Sequence, residues 1–241
     1  MKRVLDTVDW SVPALSLLGS VKKLDPMKPA VMFIRHTERF ATSEKENAGA
    51  TVSTSRGMSA AIEFGEALPL TRRYRIYHSN LARAKETAEG IRYGVASKGG
   101  LAAVSGIIPA SLAVDVDAAD KYVQGLQKRY GGAPWLRRFI YAWCAGLIPP
   151  GIVNPSIDFT RLIAEYTASN IRSARLDTLD IYVSQDTWIA ALLLHWFGEP
   201  VNEDGIRYLE GFMMQSREKD LTLYLGGRKV LAEYPYWWSQ L

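Results

Sequence analysis

Apolar and polar positions change their period several times along the chain. Ala30-Val31-Met32-Phe33-Ile34 is an unbroken apolar run after Pro29. A run this short, rich in large apolar side chains, predicts a strand buried on both faces. It leads straight into the polar string Arg35-His36-Thr37-Glu38-Arg39. Charged groups at the end of a buried strand stand where open α/β sheets receive ligands. Ala41 to Ser53 is polar and predicts a loop. Thr54 or Ser55 then caps a helix over Arg56 to Leu68, whose apolar positions Ala60, Ala61, Phe64, Ala67 and Leu68 recur at helical spacing. Tyr74 to His78 predicts a second strand, Ser79-Asn80 a break, and Leu81 to about Tyr93 a helix. Thr178 to Ser184 predicts the next strand, followed by a helix from Thr187 to Phe197 that Gly198 closes. Gly211 to Ser216 and Leu221 to Leu225 pair as a hairpin, and Gly226-Gly227 fits a further reversal.

Residues 1–28 read as a lead-in with a short helix ending before Pro26. Residues 97–178 have a different texture: Gly99-Gly100, Gly131-Gly132 and Pro149-Pro150-Gly151 separate aromatic-rich helical stretches. They are expected to form an insertion or helical cap on a single domain spanning 1–241. Strands that alternate with helices and end in a meander predict an α/β fold. The expected form is a three-layer α/β/α sandwich with a mixed, mostly parallel sheet.

Composition narrows the function classes. The formal charge is +4 with a sequence pI of about 9.1. This suits an anionic ligand, but the cations are dispersed and form no nucleic-acid-binding block, so no nucleic-acid partner is expected. The single cysteine, Cys144, rules out an intrachain disulfide framework and a CxxC metal site, and is expected to pack as a small hydrophobe. Met1-Lys2-Arg3 is followed at once by Asp6 and Asp9, which does not read as a secretory signal. The longest membrane-span candidate, Phe139 to Val153, is short and broken by Pro149-Pro150. A reducing cytoplasm is the expected location.

Arg35, His36 and Arg39 carry the first chemical signal. Arginine presents a planar fork that matches phosphate oxygens. A neutral imidazole is a competent nucleophile toward phosphorus once its second nitrogen is held by a hydrogen bond. Arg83 supplies the second signal, because the first turn of the helix after the second strand also favours an anion. The charge comes from arginine, so no metal and no cofactor are expected.

In this order the segments resemble the histidine phosphatase superfamily, with its phosphoglycerate mutase-like fold. Val31 to Arg39 looks like the strand and R-H-G-x-R motif of the acid-phosphatase-like branch. Ser53 to Leu68, His78 to Ala88, Ile181 to Leu194 and Tyr208 to Gly211 are similar to later segments of that family. The resemblance covers about 30–95 and 178–230. It implies that His36 accepts the phosphoryl group, that Arg35, Arg39 and Arg83 bind its oxygens, and that Asp186 is the proton donor. It also sets out three departures. Thr37 replaces a glycine and adds a hydroxyl near the phosphate. Asn80 replaces a proline. Gln185 stands where the family keeps its second catalytic histidine; it retains an N–H donor and loses both charge and titration.

Other residues have competing roles. His78 ends the second strand beside Ser79, as a strand-end hydrogen-bonding group or as a pocket residue. His195 lies too far along its helix from Asp186 to fill the gap left by Gln185 and reads as a packing residue. Glu38 and Lys85 read as solvated neighbours, Trp188 as a wall of the substrate site, and Tyr234 to Trp238 as a packed tail. Trp135 to Trp143 reads as the core of the cap. It alternatively lines a pocket for a bulky substrate, and 135–153 is the one place where membrane contact is open.

The function implied is a metal-independent phosphatase acting on a small phosphorylated substrate through a phosphohistidine on His36. A family member that binds a phosphorylated ligand without turning it over, or serves as a scaffold, is the alternative, because of Gln185. A phosphatase for a lipid-like phosphate is the third reading.

Overall fold

The apolar runs become strands and the periodic stretches become helices in the order the sequence predicts. A computed structural model describes residues 3–41, 50–131, 134–200, 205–217 and 220–240. The centre of the polar loop, 42–49, lies outside the described residues. Helix α1 spans Val12–Val21, strand β1 Ala30–Arg35, α2 Ser55–Ala67, β2 Arg73–His78 and α3 Ala82–Ser97. Strand β3 (Leu101–Ile107) and helices α4 (Val116–Tyr130), α5 (Pro134–Cys144) and α6 (Ser156–Arg172) follow. The chain ends with β4 (Thr178–Ser184), α7 (Asp186–Phe197), β5 (Gly211–Arg217), β6 (Asp220–Leu225) and β7 (Arg228–Glu233).

The seven strands form one mixed sheet in the order β3-β2-β4-β1-β5-β6-β7. Strands β3, β2, β4 and β1 run parallel, and β5, β6 and β7 continue the sheet by antiparallel pairing. The sequence reading has no strand between His78 and Thr178. Leu101–Ile107 corrects it: this segment extends the sheet at the β2 edge. It escapes the sequence because it contains Ala, Ser and Gly and alternates between exposed and half-buried positions.

The chain divides into two compact units. The first comprises Met1–Ile108, Asn170–Gln185 and Arg207–Tyr234 and holds the whole sheet. On one face, Met32 and Ile34 of β1, Ile181 and Val183 of β4 and Ile76 of β2 are buried in one core with Ala60, Phe64, Ala88 and Ile91 of α2 and α3. On the other face, Tyr77, Tyr182, Phe33 and Phe212 stack in a row across β2, β4, β1 and β5, with centroids 4.9, 4.6 and 5.3 Å apart. Beside this row Arg75 grips Asp180 with two hydrogen bonds of 2.7 Å. Burial nevertheless pushes the Asp180 carboxyl above its ordinary value.

The second unit comprises Pro109–Ser169, Asp186–Ile206 and Pro235–Leu241. Phe139, Trp143, Phe159 and Trp188 form its aromatic core, linked by ring contacts of 6.3, 5.2 and 4.9 Å. Cys144 is half-buried there, and burial pushes its thiol up to about 11. Trp237 is buried and Trp238 packs against Trp196 at 5.0 Å, while Tyr236 is exposed. Among the described residues, no helix is long and apolar enough to cross a membrane.

Candidate active site

Strand β4 lies between β1 and β2, so three parallel strands end side by side. Their C-terminal ends carry His36, Gln185 and Ser79. The His36 amide donates to the Ser184 carbonyl at 2.9 Å, and the Ser79 amide to that of Val183 at 2.9 Å. This is the crevice end of a parallel sheet, where ligands bind in open α/β folds.

His36 is 2% exposed and both of its ring nitrogens are engaged. Arg83 donates from Nε to His36 Nε2 at 2.8 Å. Arginine only donates, so Nε2 is unprotonated and the proton sits on Nδ1. That proton is donated to the Thr37 carbonyl at 2.8 Å. Burial is the main cause that holds His36 well below its ordinary pKa, followed by Arg83 and Arg35; the Thr37 carbonyl opposes this, and Arg39 adds a smaller push downward. The result is a neutral imidazole with its reactive lone pair on Nε2, in a field set by three guanidiniums.

Each arginine is held by its own part of the chain. Arg35 ends β1, where its amide donates to the Glu210 carbonyl at 2.8 Å and its carbonyl accepts from Leu209 at 3.1 Å. Its guanidinium carbon lies 4.5 Å from the centroid of the Tyr208 ring. Tyr208 also faces His36, with ring centroids 5.9 Å apart, and meets the edge of Trp10 at 5.5 Å. The turn that presents Tyr208 places Leu209 at φ 55°, a conformation costly for a residue with a Cβ. Gly211 follows because a Cβ there would collide with the Phe33 carbonyl oxygen.

Arg39 pairs with Ser53 across an isolated antiparallel bridge, and its Nη1 donates to the Phe40 carbonyl at 2.8 Å. The Ser53 amide in turn donates to Glu86 of α3 at 2.7 Å. Arg83 stands in the first turn of α3. One turn later, Thr87 donates to the Arg83 carbonyl at 2.7 Å and accepts from the Thr37 amide at 3.0 Å.

Several expected roles change on this geometry. Thr37 is not placed to offer its hydroxyl to a phosphate: it is fully buried, donates to the Gly57 carbonyl at 2.8 Å, and has its amide engaged by Thr87. Its β-hydroxyl therefore ties the exit of β1 to α2. Glu38 is no solvated neighbour. It accepts from Thr54 at 2.7 Å and from Arg56 Nε at 2.9 Å, and pairs again with Arg56 Nη2. Arg56 is the first cause of its lowered pKa. Thr54 caps α2 by accepting from Gly57, as the sequence predicts, and a Cβ on Gly57 would strike the Glu38 carbonyl oxygen. Trp188 is buried against Phe159 in the second unit, which corrects its reading as a pocket wall.

Gln185 is half-buried immediately after β4. Asp186 opens α7 in the second unit, with Oδ1 accepting from the Thr187 amide at 2.8 Å. His78 is buried and shares a 2.7 Å hydrogen bond with the Ser79 carbonyl, a strand-end bond like the one His36 makes. His195 is bonded to Ser156 at 2.9 Å within the second unit. Tyr208, Thr87 and Trp10 are site components that sequence reasoning missed. Thr87 alone carried a signal, one helical turn from Arg83; the approach of Tyr208 and Trp10 depends on tertiary packing. Among the described residues, no group of three or more His, Cys, Asp or Glu side chains is placed to hold a metal ion.

No protein-family model matches the chain, and no curated protein matches it. Solved structures do. Bacillus stearothermophilus YhfR is 15% identical with a TM-score of 0.53, over 85% of this chain and 96% of its own. The mycobacterial glucosyl-3-phosphoglycerate phosphatase Rv2419c, solved with VO3, is 16% identical with a TM-score of 0.52, over 86% and 99%. A phosphoglycerate mutase from Bacillus anthracis str. Sterne is 13% identical with a TM-score of 0.51, over 86% and 93%. At these identities the likeness is one of fold. The chain has the α/β fold of phosphoglycerate mutase-like proteins.

Proposed function

We propose that the protein is a metal-independent phosphatase that hydrolyses a small phosphomonoester through a phosphohistidine on His36. The observation that carries this reading is an unprotonated Nε2, oriented by the Thr37 carbonyl behind it, hydrogen-bonded by Arg83 and acted on by the charges of Arg35 and Arg39. The fold neighbour Rv2419c, a phosphatase solved with VO3, adds support from a protein of the same architecture.

The steps follow from the groups present. Arg83 releases Nε2 and turns its N–H onto a phosphoryl oxygen, where Arg35 and Arg39 bind the others. Nε2 then attacks phosphorus in line with the leaving oxygen; the N–P bond forms as the P–O bond breaks. Positive charge developing on the ring strengthens the Nδ1–H bond to the Thr37 carbonyl. Asp186 is the group proposed to deliver a proton to the leaving oxygen. As a carboxylate it then takes a proton from water, whose oxygen attacks the phosphohistidine and regenerates His36. Gln185 contributes an amide N–H to the phosphoryl group. Thr37 has no part in this beyond its carbonyl. The location proposed for this reaction is the cytoplasm.

Gln185 favours a second reading, in which the pocket retains a phosphorylated ligand and turns it over slowly or not at all. Gln185→His separates the two. Restoring an imidazole donor is expected to raise kcat for p-nitrophenyl phosphate by about tenfold to a hundredfold, somewhat less than the cost of deleting an oxyanion donor. Wild-type turnover indistinguishable from buffer, with no gain in the variant, favours the binding protein.

Tyr208 is a positioning residue on this scheme, since its ring steadies the Arg35 guanidinium. Tyr208→Ala is expected to lower kcat/KM by about threefold to thirtyfold, the worth of a partly desolvated cation–π contact. Tyr208→Phe keeps the ring and should retain nearly all of it. Equal losses in both variants assign the effect to the hydroxyl and refute the stacking role.

A further inference from the structure

The second unit has more acidic than basic residues, yet one segment of it is basic in a way that the phosphate chemistry does not use. Between Lys121 and Ile157 the chain has five basic residues (Lys121, Lys128, Arg129, Arg137 and Arg138) and no acidic one. The acidic groups of α4, Asp117 and Asp120, stand in its first turns with the capping Asp115. At 1.5 Å per residue they are about 12 Å or more along the helix from Lys128.

Aromatic rings gather the arginines. The guanidinium carbons of Arg129 and Arg138 each lie 5.3 Å from the centroid of Tyr130, and that of Arg137 lies 5.7 Å from Tyr141. All three arginines are exposed. Helix α5 is two-faced: Phe139, Ile140 and Trp143 are buried, while Arg137 and Arg138 face solvent.

An apolar group stands just past the same helix. Gly146, at φ 69°, ends α5 in a Schellman motif, with Leu147 N–H donating to the Ala142 carbonyl at 2.8 Å and Gly146 N–H to that of Trp143 at 3.0 Å. The residue in the position of Leu147 commonly folds back onto the helix. Leu147 is instead 73% exposed. Tyr130, between its two arginines, is exposed as well.

A bilayer surface asks for both kinds of group: cations for the phosphates and apolar or aromatic side chains for the head-group boundary. A nucleic acid would reward the arginines and tyrosines and leave Leu147 without a role. We propose that the C-terminal end of α4, together with α5 and Leu147 just beyond it, docks on an anionic membrane surface. Arg129, Arg137 and Arg138 meet the lipid phosphates, and Leu147 and Tyr130 enter the interface. The proposal does not depend on the phosphatase reading.

Co-sedimentation of the full chain tests it. The vesicles are phosphatidylcholine alone, or phosphatidylcholine with about one third phosphatidylserine to set an anionic surface. Binding is expected with the anionic vesicles only, and should weaken as salt is raised. Each surface cation contributes about fivefold, so Arg137→Ala with Arg138→Ala should lower the apparent affinity about thirtyfold. Leu147→Ser should lower it as well. These positions are exposed, and an unchanged thermal melt certifies the folded state of each variant. Absent binding, equal binding to both vesicle types, or undiminished binding by the double arginine variant overturns the proposal. So does a result in which Leu147→Ser has no effect and a single-stranded oligonucleotide binds more tightly than the anionic vesicles.

Discussion

His36→Ala is expected to lower kcat for an aryl phosphate by about 10⁴-fold or more, the scale seen when a nucleophile is removed from a pocket that still binds substrate. The Thr37 carbonyl and the Arg83 Nε–H engage the two ring nitrogens of this residue, and alanine offers neither. The loss should fall on kcat more than on KM, because the arginines that bind the phosphoryl oxygens remain. Rapid quench of the wild type into alkaline detergent during turnover should trap a phosphoenzyme whose phosphate is alkali-stable and is released by later acid treatment, and the variant should show none. Hydrolysis at an unchanged rate in His36→Ala removes the imidazole from the mechanism and, with it, the proposed function.

Arg83→Met should act twice. Deleting one donor to a developing oxyanion costs on the order of 10²–10³ in kcat. The second effect is on titration. Burial is the largest cause of the lowered His36 pKa, and Arg83 is the next. Without Arg83 the imidazole pKa rises toward the ordinary value of about 6.5, yet stays below it, because burial, Arg35 and Arg39 remain. Only the neutral ring attacks, so the acid limb of kcat/KM moves to higher pH. Stability changes with it. Where the folded pKa lies below the unfolded one, the unfolded chain binds more protons in the window between them. The stability that His36 burial sustains is complete above about pH 6.5 and is lost as pH falls through that window toward the folded value. Arg83→Met narrows the window, and its melting temperature should therefore fall less steeply below pH 6.5 than that of the wild type. Arg83→Lys keeps the charge and should leave the acid limb in place while still losing rate. An acid limb that stays put in the methionine variant refutes the electrostatic assignment.

Most of the frame was legible because its signals are local. Five apolar residues after Pro29 suit a buried strand by length and composition, and Thr54 ahead of a three-and-four-spaced apolar series caps the helix it heralds. Strand β3 was hidden because an edge strand needs little apolar surface, so its composition resembles that of a loop. In the site, arginine and histidine at a strand end advertise anion chemistry by residue type alone. The task of Thr37 could not be read that way, since a hydroxyl gives no sign of which distant carbonyl it will meet. Glu38 reads as solvated until Thr54 and Arg56 are folded back onto it. Tyr208 is set by a backbone conformation at Leu209 that the residue type itself disfavours, which is why no propensity argument finds it.

Strand β1 is hydrogen-bonded on one side to β4 and on the other to β5, both of which lie far downstream in the chain. A nascent polypeptide emerging from the ribosome therefore contains Arg35, His36, Arg39 and Arg83 long before either neighbour of β1 has been synthesised. The cradle cannot take shape until the last third of the chain has threaded in around it. A phosphorylated ligand present during refolding would find nothing to template in the early species, and would act by mass action on the closed sheet alone.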